Sequence, residues 1–407
     1  MTEGLWSLIQ APWTLRPDTL VGATLLAVAA ALLGEAFWRV LRWPRLLGYG
    51  IVGTVLALTG AGARGNETEL RLAVDVALAL LLFEAGARLN LRWLGRNPWL
   101  LASSVAEALL SAFAVYAVAR AFEVDPRAAG ALAVLTMCVS PAVVQRVVSE
   151  CGAAGQVTER LFALSALNTL YAVFAMQLLI AGLRLTDPAT WTEALGPTLF
   201  SFFGSILLGA ALGSVVAAIA RRLDLRNENS VVLLLGCVLL ALVIAKTLQF
   251  STLLVPLLAG LWLRNRSERP WVWPRHFGTA GGVLVLVLFV AVSSAWSVDV
   301  LLAAGGAAIA LLAARFAAKG AAVVVFARPS GLSWRQAGCL AGALLPLSAT
   351  AWVLALDFTA MHPSPGSALL PILLAMVAWM ALLGPLAVLY GLHLAGELDV
   401  VTPRARK

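Results

Sequence analysis

Roughly thirteen apolar stretches of about 20 residues follow one another along the chain, separated by short breaks of charge, Pro and Gly. They start near Leu20, Leu46, Leu70, Trp99, Ala128, Leu161, Leu195, Val231, Thr252, Phe277, Val298, Ala337 and Ala368. Each is long enough to cross the hydrocarbon of a bilayer. Inside a bilayer every backbone polar group needs an internal partner, so such a chain must fold as a set of helices. Composition agrees: 61% of the residues are hydrophobic and only 12% charged, against about half and a quarter in soluble domains. A soluble enzyme, a disordered regulator and a nucleic-acid binder are excluded, because the net charge of +8 is scattered as single Arg between apolar runs and forms no basic stripe. The expected fold is an all-α polytopic membrane protein with about 13 transmembrane helices, residues 1–407 making a single transmembrane domain with no separate soluble domain. Met1–Arg16 lack the basic start and apolar core of a cleaved signal, so they are expected to remain in the mature protein.

Positive charge gives the expected orientation. Alternate connections carry Arg39, Arg42 and Arg45; Arg88, Arg92 and Arg96; Arg146 and Arg160; Arg221, Arg222 and Arg226; Arg264, Arg266, Arg269 and Arg275; Arg328 and Arg335; and Arg404, Arg406 and Lys407, which is 20 of the 29 Lys and Arg. Cytoplasmic loops retain such charge, so the amino terminus is expected outside and the carboxyl terminus in the cytoplasm, with an odd number of spans. A bacterial inner (plasma) membrane is the expected location. The bilayer itself is then the main partner, and nucleic acid is not one.

Two spans are interrupted. Thr136-Met137-Cys138-Val139-Ser140-Pro141 breaks the fifth, and Leu344 to Thr350, with Pro346, breaks the twelfth. Pro removes a donor and frees a carbonyl, which is tolerated at membrane depth only where protein or a water-filled cavity receives it. A matched pair of broken helices in two half-chains points to an inverted-repeat secondary transporter with its site at the midplane. The plainer reading of each break is an ordinary Pro kink.

Several segments resemble those of one family. Leu82-Phe83-Glu84-Ala85-Gly86-Ala87-Arg88-Leu89-Asn90-Leu91 resembles the third-helix motif of the monovalent cation/proton antiporters, the sodium/proton exchangers. Pro44-Arg45-Leu46-Leu47-Gly48-Tyr49-Gly50 with Gly53 resembles their second-helix entry. Ser140-Pro141-Ala142-Val143-Val144 sits at their broken fifth helix, Ala166-Leu167-Asn168-Thr169-Leu170 at the sixth-helix Asn-Asp or Asp-Asp pair, Ser251 to Gly260 at the short ninth helix, and Ala314-Arg315 at the eleventh-helix Arg. The resemblance implies a dimerising panel and a mobile core of six helices, a homodimer, alternating access, and monovalent cations competing with protons for acids beside the crossing broken helices. It also implies that Glu84, Asn168 and Arg315 form a polar cluster.

The chain departs from that pattern at the acids. The position after Asn168 is Thr169, the fifth-helix position is Ser140, and where many members have Ala-Glu in the eighth helix this chain has Ala245-Lys246. Exchange needs a group that changes charge in the working pH range, which buried carboxylates supply and hydroxyls do not. Glu107 is the leading replacement: it lies mid-way along the fourth span, with Ser103, Ser104 and Ser111 on its side and no Lys or Arg within a turn. Its structural alternative is a protonated Glu bonded to those serines. Asp75 pairs locally with Arg71, and Glu35 with Arg39, by their spacing of four, and Glu84 has Arg88 at the same spacing. Lys246, about two thirds along its span, either snorkels or stands as a tethered cation where a substrate ion would bind. Lys319 is expected to snorkel.

The candidate ion site is therefore Ser140, Asn168, Thr169, Glu84, Arg315, Glu107 and Lys246. Gly209 and Gly213 permit close helix contact. His276, His362 and His393 have no acidic or Cys partner at ligand spacing, and the four Cys have no paired spacing, so no metal, cofactor or enzymatic activity is expected. The expected function is a secondary active Na+/K+:proton antiporter with an atypical site. The alternatives are a transport-inactive homologue serving as a sensor or as a membrane subunit for an unknown protein partner, and an anion carrier drawn by the positive core and the helix amino ends.

Overall fold

The computed structural model describes residues 19–60, 68–186, 191–222, 228–266, 277–347 and 349–398. Met1–Arg16, Arg64, Arg226, Arg269, Arg275, His276, Ser348 and the terminal Arg404, Arg406 and Lys407 lie outside them. Among the described residues there are sixteen helices and no strand. They are α1 (Thr19–Leu41), α2 (Leu46–Leu58), α3 (Thr68–Arg88), the short α4 (Leu91–Gly95), α5 (Pro98–Ala121), α6 (Pro126–Leu135), α7 (Pro141–Cys151) and α8 (Gln156–Thr186). The second half holds α9 (Trp191–Arg222), α10 (Glu228–Thr247), α11 (Leu254–Arg266), α12 (Phe277–Ser293), α13 (Val298–Val325), α14 (Trp334–Ala343), α15 (Ala349–Met361) and α16 (Pro363–Ala395).

Six of these helices are by themselves long and apolar enough to cross a membrane. The surface is that of a membrane protein: Phe113, Leu207 and Leu302 stand more than 70% exposed, side chains that a water-facing surface would not leave as a continuous apolar coat. The chain is an integral membrane protein.

Packing sorts the helices into two bundles. In the first, α3 lies along α11, α9 along α11, and α12 along α2 and α3, with α1 and α10 at its edge. In the second, α13 lies against α5, α14 and α16, and α16 also packs on α14 and α15; α6 lies on α5 and α8. The first bundle's closest contact explains two glycines of the sequence motifs. A Cβ on Gly86 would stand 2.0 Å from the Leu257 carbonyl oxygen, and one on Gly260 would stand 2.0 Å from that of Phe83, so α3 and α11 meet backbone to backbone. Gly209 and Gly213 of α9 do the same on α11, near the Val255 and Ala259 carbonyls; their close contact is internal to the chain.

Both interrupted spans are broken where the sequence breaks them. α6 stops at Leu135 and α7 starts at Pro141, with Ser140 extended and its hydroxyl accepting from Val143 N–H. A residue before Pro is pushed out of the helical region, and Pro at the first helical position lacks only a donor that had no partner anyway. α14 stops at Ala343 and α15 starts at Ala349. The two breaks touch: Ser140 N–H donates to the Pro346 carbonyl at 3.1 Å. Two half-helix pairs thus cross inside the second bundle, as in the expected inverted-repeat architecture.

Candidate functional site at the helix crossing

Breaking two helices in the membrane interior leaves carbonyls with no intrahelical donor, each costly if left bare. One side chain collects most of them. Arg315 on α13, fully buried, donates from Nε to Thr136 O at 2.8 Å, from Nη1 to Leu345 O at 2.6 Å and from Nη2 to Cys138 O at 2.7 Å, with Leu344 O at 3.5 Å. The rigid five-donor fork of a guanidinium suits this radial set of acceptors, which an ammonium could not span.

One turn along α13, Lys319 takes a further carbonyl and an acid. Its Nζ donates to Met137 O at 3.1 Å and to Glu107 Oε2 of α5 at 2.6 Å, and it is 1% exposed. The expectation that Lys319 snorkels is thereby corrected: residues four apart share a helix face, and the face that buries Arg315 buries Lys319 too. Glu107, fully buried, is held on its other oxygen by Asn168 Nδ2 of α8. Glu107 is therefore bonded to an ammonium and an amide and not to serines: Ser104 donates to the Tyr171 hydroxyl and Ser111 to Ala108 O. Asn168 Oδ1 is buried with no hydrogen-bond partner.

Arg315 and Lys319 against Glu107 leave one positive charge; the carboxyl ends of α6 and α14, each worth about −0.5 on the helix-dipole picture, are offset by the amino ends of α7 and α15 that start at the same breaks.

The other predicted residues go elsewhere. Ser140 caps α7, and Thr169 donates to Ser165 O at 2.9 Å, so both hydroxyls are used on neighbouring backbone. Glu84 pairs with Arg88 at 2.7 Å and lines a separate cavity of about 100 Å³ with Gln145 and Arg146. No hydrogen bond described joins Glu84, Asn168 and Arg315: the structure splits that expected trio into a Glu84–Arg88 pair, an Asn168–Glu107 bond and an Arg315 carbonyl clamp. Lys246 lies in the last turn of α10, not two thirds along it; its side chain is 45% exposed, as the snorkelling reading expects, and it does not stand at the crossing but pairs with Asp75, Nζ 2.6 Å from Oδ2. Asp75 is consequently not the partner of Arg71, which pairs instead with Asp357 of α15. Glu35 keeps Arg39 at 2.7 Å and gains Arg45 at 2.9 Å. Sequence reasoning missed Lys319 as a site residue and Asp357 altogether; the signals available were a Lys one turn from a buried Arg and an acid inside an interrupted span.

The crossing thus brings together an anionic oxygen, a spare amide oxygen and a buried ammonium. The sequence signature described as "Sodium/hydrogen exchanger, transmembrane" matches residues 26–389. The chain belongs to the sodium/hydrogen exchanger family. Two solved structures of the sodium proton antiporter MjNhaP1 from Methanocaldococcus jannaschii share the fold of this chain. One, determined at pH 8, is 15% identical, with a TM-score of 0.65 over 92% of this chain and 95% of that one. The other, from an electron-microscopy map, is 16% identical, with a TM-score of 0.71 over 96% and 99%. No curated protein matches this chain significantly in sequence.

Proposed function

We propose that the chain exchanges a monovalent cation for a proton across the membrane, by displacement of its two bundles, with the Glu107–Lys319 pair as the place where the two compete: the cation takes Glu107 and the proton leaves Lys319. The buried Glu107–Lys319 pair beside the helix crossing carries this reading. A cation reaching Glu107 displaces the Lys319 ammonium, and an ammonium left unpaired in a dry site sheds its proton instead of staying charged. One cation bound and one proton released leave the local charge unchanged, so the loaded and unloaded forms are equally able to move. Asn168 Oδ1, which has no partner now, supplies a second oxygen. Arg315 braces the crossing and carries no proton, since a guanidinium keeps its charge at ordinary pH. Ser140, Thr169, Glu84 and Lys246 are supports outside the exchange step. The end bearing Arg88, Arg92 and Arg146 faces the cytoplasm by its charge, and the protein is a carrier and not an enzyme.

The test is cation-driven collapse of a pH gradient in proteoliposomes. Na+, K+ or Li+ should dissipate the gradient with the wild type, and Glu107→Gln should reduce that rate to the level of empty vesicles. Undiminished exchange in the variant removes Glu107 from the mechanism.

One observation favours a second reading, a homologue that does not transport. Both hydroxyls standing at the family's acid positions are consumed by local backbone. That reading expects no gradient collapse with any of the three cations in the wild type.

A further inference from the structure

Two ion pairs tie one bundle to the other, and they lie at opposite ends of the helices. At the basic end, Arg45, just before α2, donates its backbone N–H to Glu150 of α7 at 2.9 Å and holds its guanidinium 3.7 Å from the same carboxylate. At the other end, Arg71 of α3 pairs with Asp357 of α15. The remaining ion pairs described each stay within one bundle. Arg71 and Asp357 both line a cavity of about 680 Å³ with walls from both bundles, α3, α9, α10 and the segment leading into α11 on one side and α8 and α15 on the other. In the same cavity Asp75 and Lys246 stand within electrostatic reach of Asp357, but they are bonded to each other. Arg71 is therefore the cation that holds Asp357, and it belongs to the opposite bundle.

A one-turn slide of packed helices moves their contacts by about 5.4 Å. The N–H···O distance tolerates about 0.5 Å, so such a pair is made or broken outright. We propose that Arg71 and Asp357 are a latch, made only in the arrangement of bundles seen here and broken in every transport cycle. This rests on the bundle-displacement reading of function above. Both side chains are 42% exposed, and pairs of that exposure bias an equilibrium by up to about five-fold. The latch thus tilts the population toward this arrangement and does not lock it.

The experiment uses the full chain in proteoliposomes. Arg71→Cys combined with Asp357→Cys is joined by a short bifunctional methanethiosulfonate, with each single variant treated alike to account for the native thiols. Cross-linking should bring cation:proton exchange to background and reduction should restore it; exchange at the untreated rate in the cross-linked protein overturns the latch. A second arm does not depend on transport. Hydrogen exchange in the first turns of α3 and in α15 should quicken up to about five-fold in Arg71→Ala and in Asp357→Asn, and return to the wild-type rate in Arg71→Asp with Asp357→Arg. Unchanged hydrogen exchange in both single variants overturns the latch even if the wild type proves not to transport, an outcome that would refute only the reading of function.

Discussion

Removing the charge of Glu107 tests the centre of the molecule. Glu107→Gln keeps the shape of the side chain but leaves the Lys319 ammonium, 1% exposed, facing a neutral amide. Breaking one partner of a buried ion pair costs about 3–5 kcal/mol, because Lys319 is left either charged without compensation or forced to give up its proton. An unfolding entropy of about 2.1 cal/mol/K per residue, over a chain of this length, makes each kcal/mol worth roughly 1 °C, so Tm in detergent should fall by about 4–6 °C. Lys319→Met alone should cost a similar amount, since it strands the Glu107 carboxylate. The double variant Glu107→Gln with Lys319→Met removes both charges and should recover most of the loss, so the double-mutant cycle should return a coupling larger than either single loss. Thermal unfolding of the four purified proteins gives the cycle directly. Additive losses, with the double variant as unstable as the sum of the singles, would show that the two groups do not act on each other and would refute the argument.

Two further outcomes follow from the packing and the carbonyl clamp. Arg315→Lys keeps the charge but not the fork, stranding at least two of the carbonyls at Thr136, Cys138, Leu344 and Leu345; at about 1–3 kcal/mol for each unsatisfied buried group, the Tm should drop by an amount comparable to that in Glu107→Gln. Gly86→Ala places a methyl 2.0 Å from the Leu257 carbonyl oxygen on backbone that cannot yield, so α3 and α11 must part; the yield of folded, monodisperse protein should fall severely, while Gly182→Ala, with open space around it, should leave it unchanged.

What could be read from the sequence was what local rules see. The apolar stretches, the two Pro-bearing breaks and the intramembrane Glu107 announce themselves within a single span, because lipid permits few exceptions to internal hydrogen bonding. The motif around Glu84 was legible as a family feature, yet its fixed element is Gly86, whose missing Cβ lets two backbones touch. The pairings were not legible. A spacing of four assigned Asp75 to Arg71, but Lys246, 171 residues away, takes Asp75 at 2.6 Å and leaves Arg71 to Asp357. Likewise Lys319 was given to the interface by its place near a helix end, whereas its partner Glu107 lies 212 residues away. Long-range partners decide these charges because they are settled by which helix faces meet, and face-to-face placement is not written in any one span.

The most direct test of the account is proton release on cation binding. Na+ added to the purified, weakly buffered protein should release about one proton per chain from the wild type. The same release should be seen in Ser140→Ala and Thr169→Val, whose hydroxyls hold only backbone, and none in Glu107→Gln. Release that survives in Glu107→Gln, or that vanishes in Thr169→Val, would contradict the claim that a cation at this buried carboxylate drives the proton off its Lys319 partner.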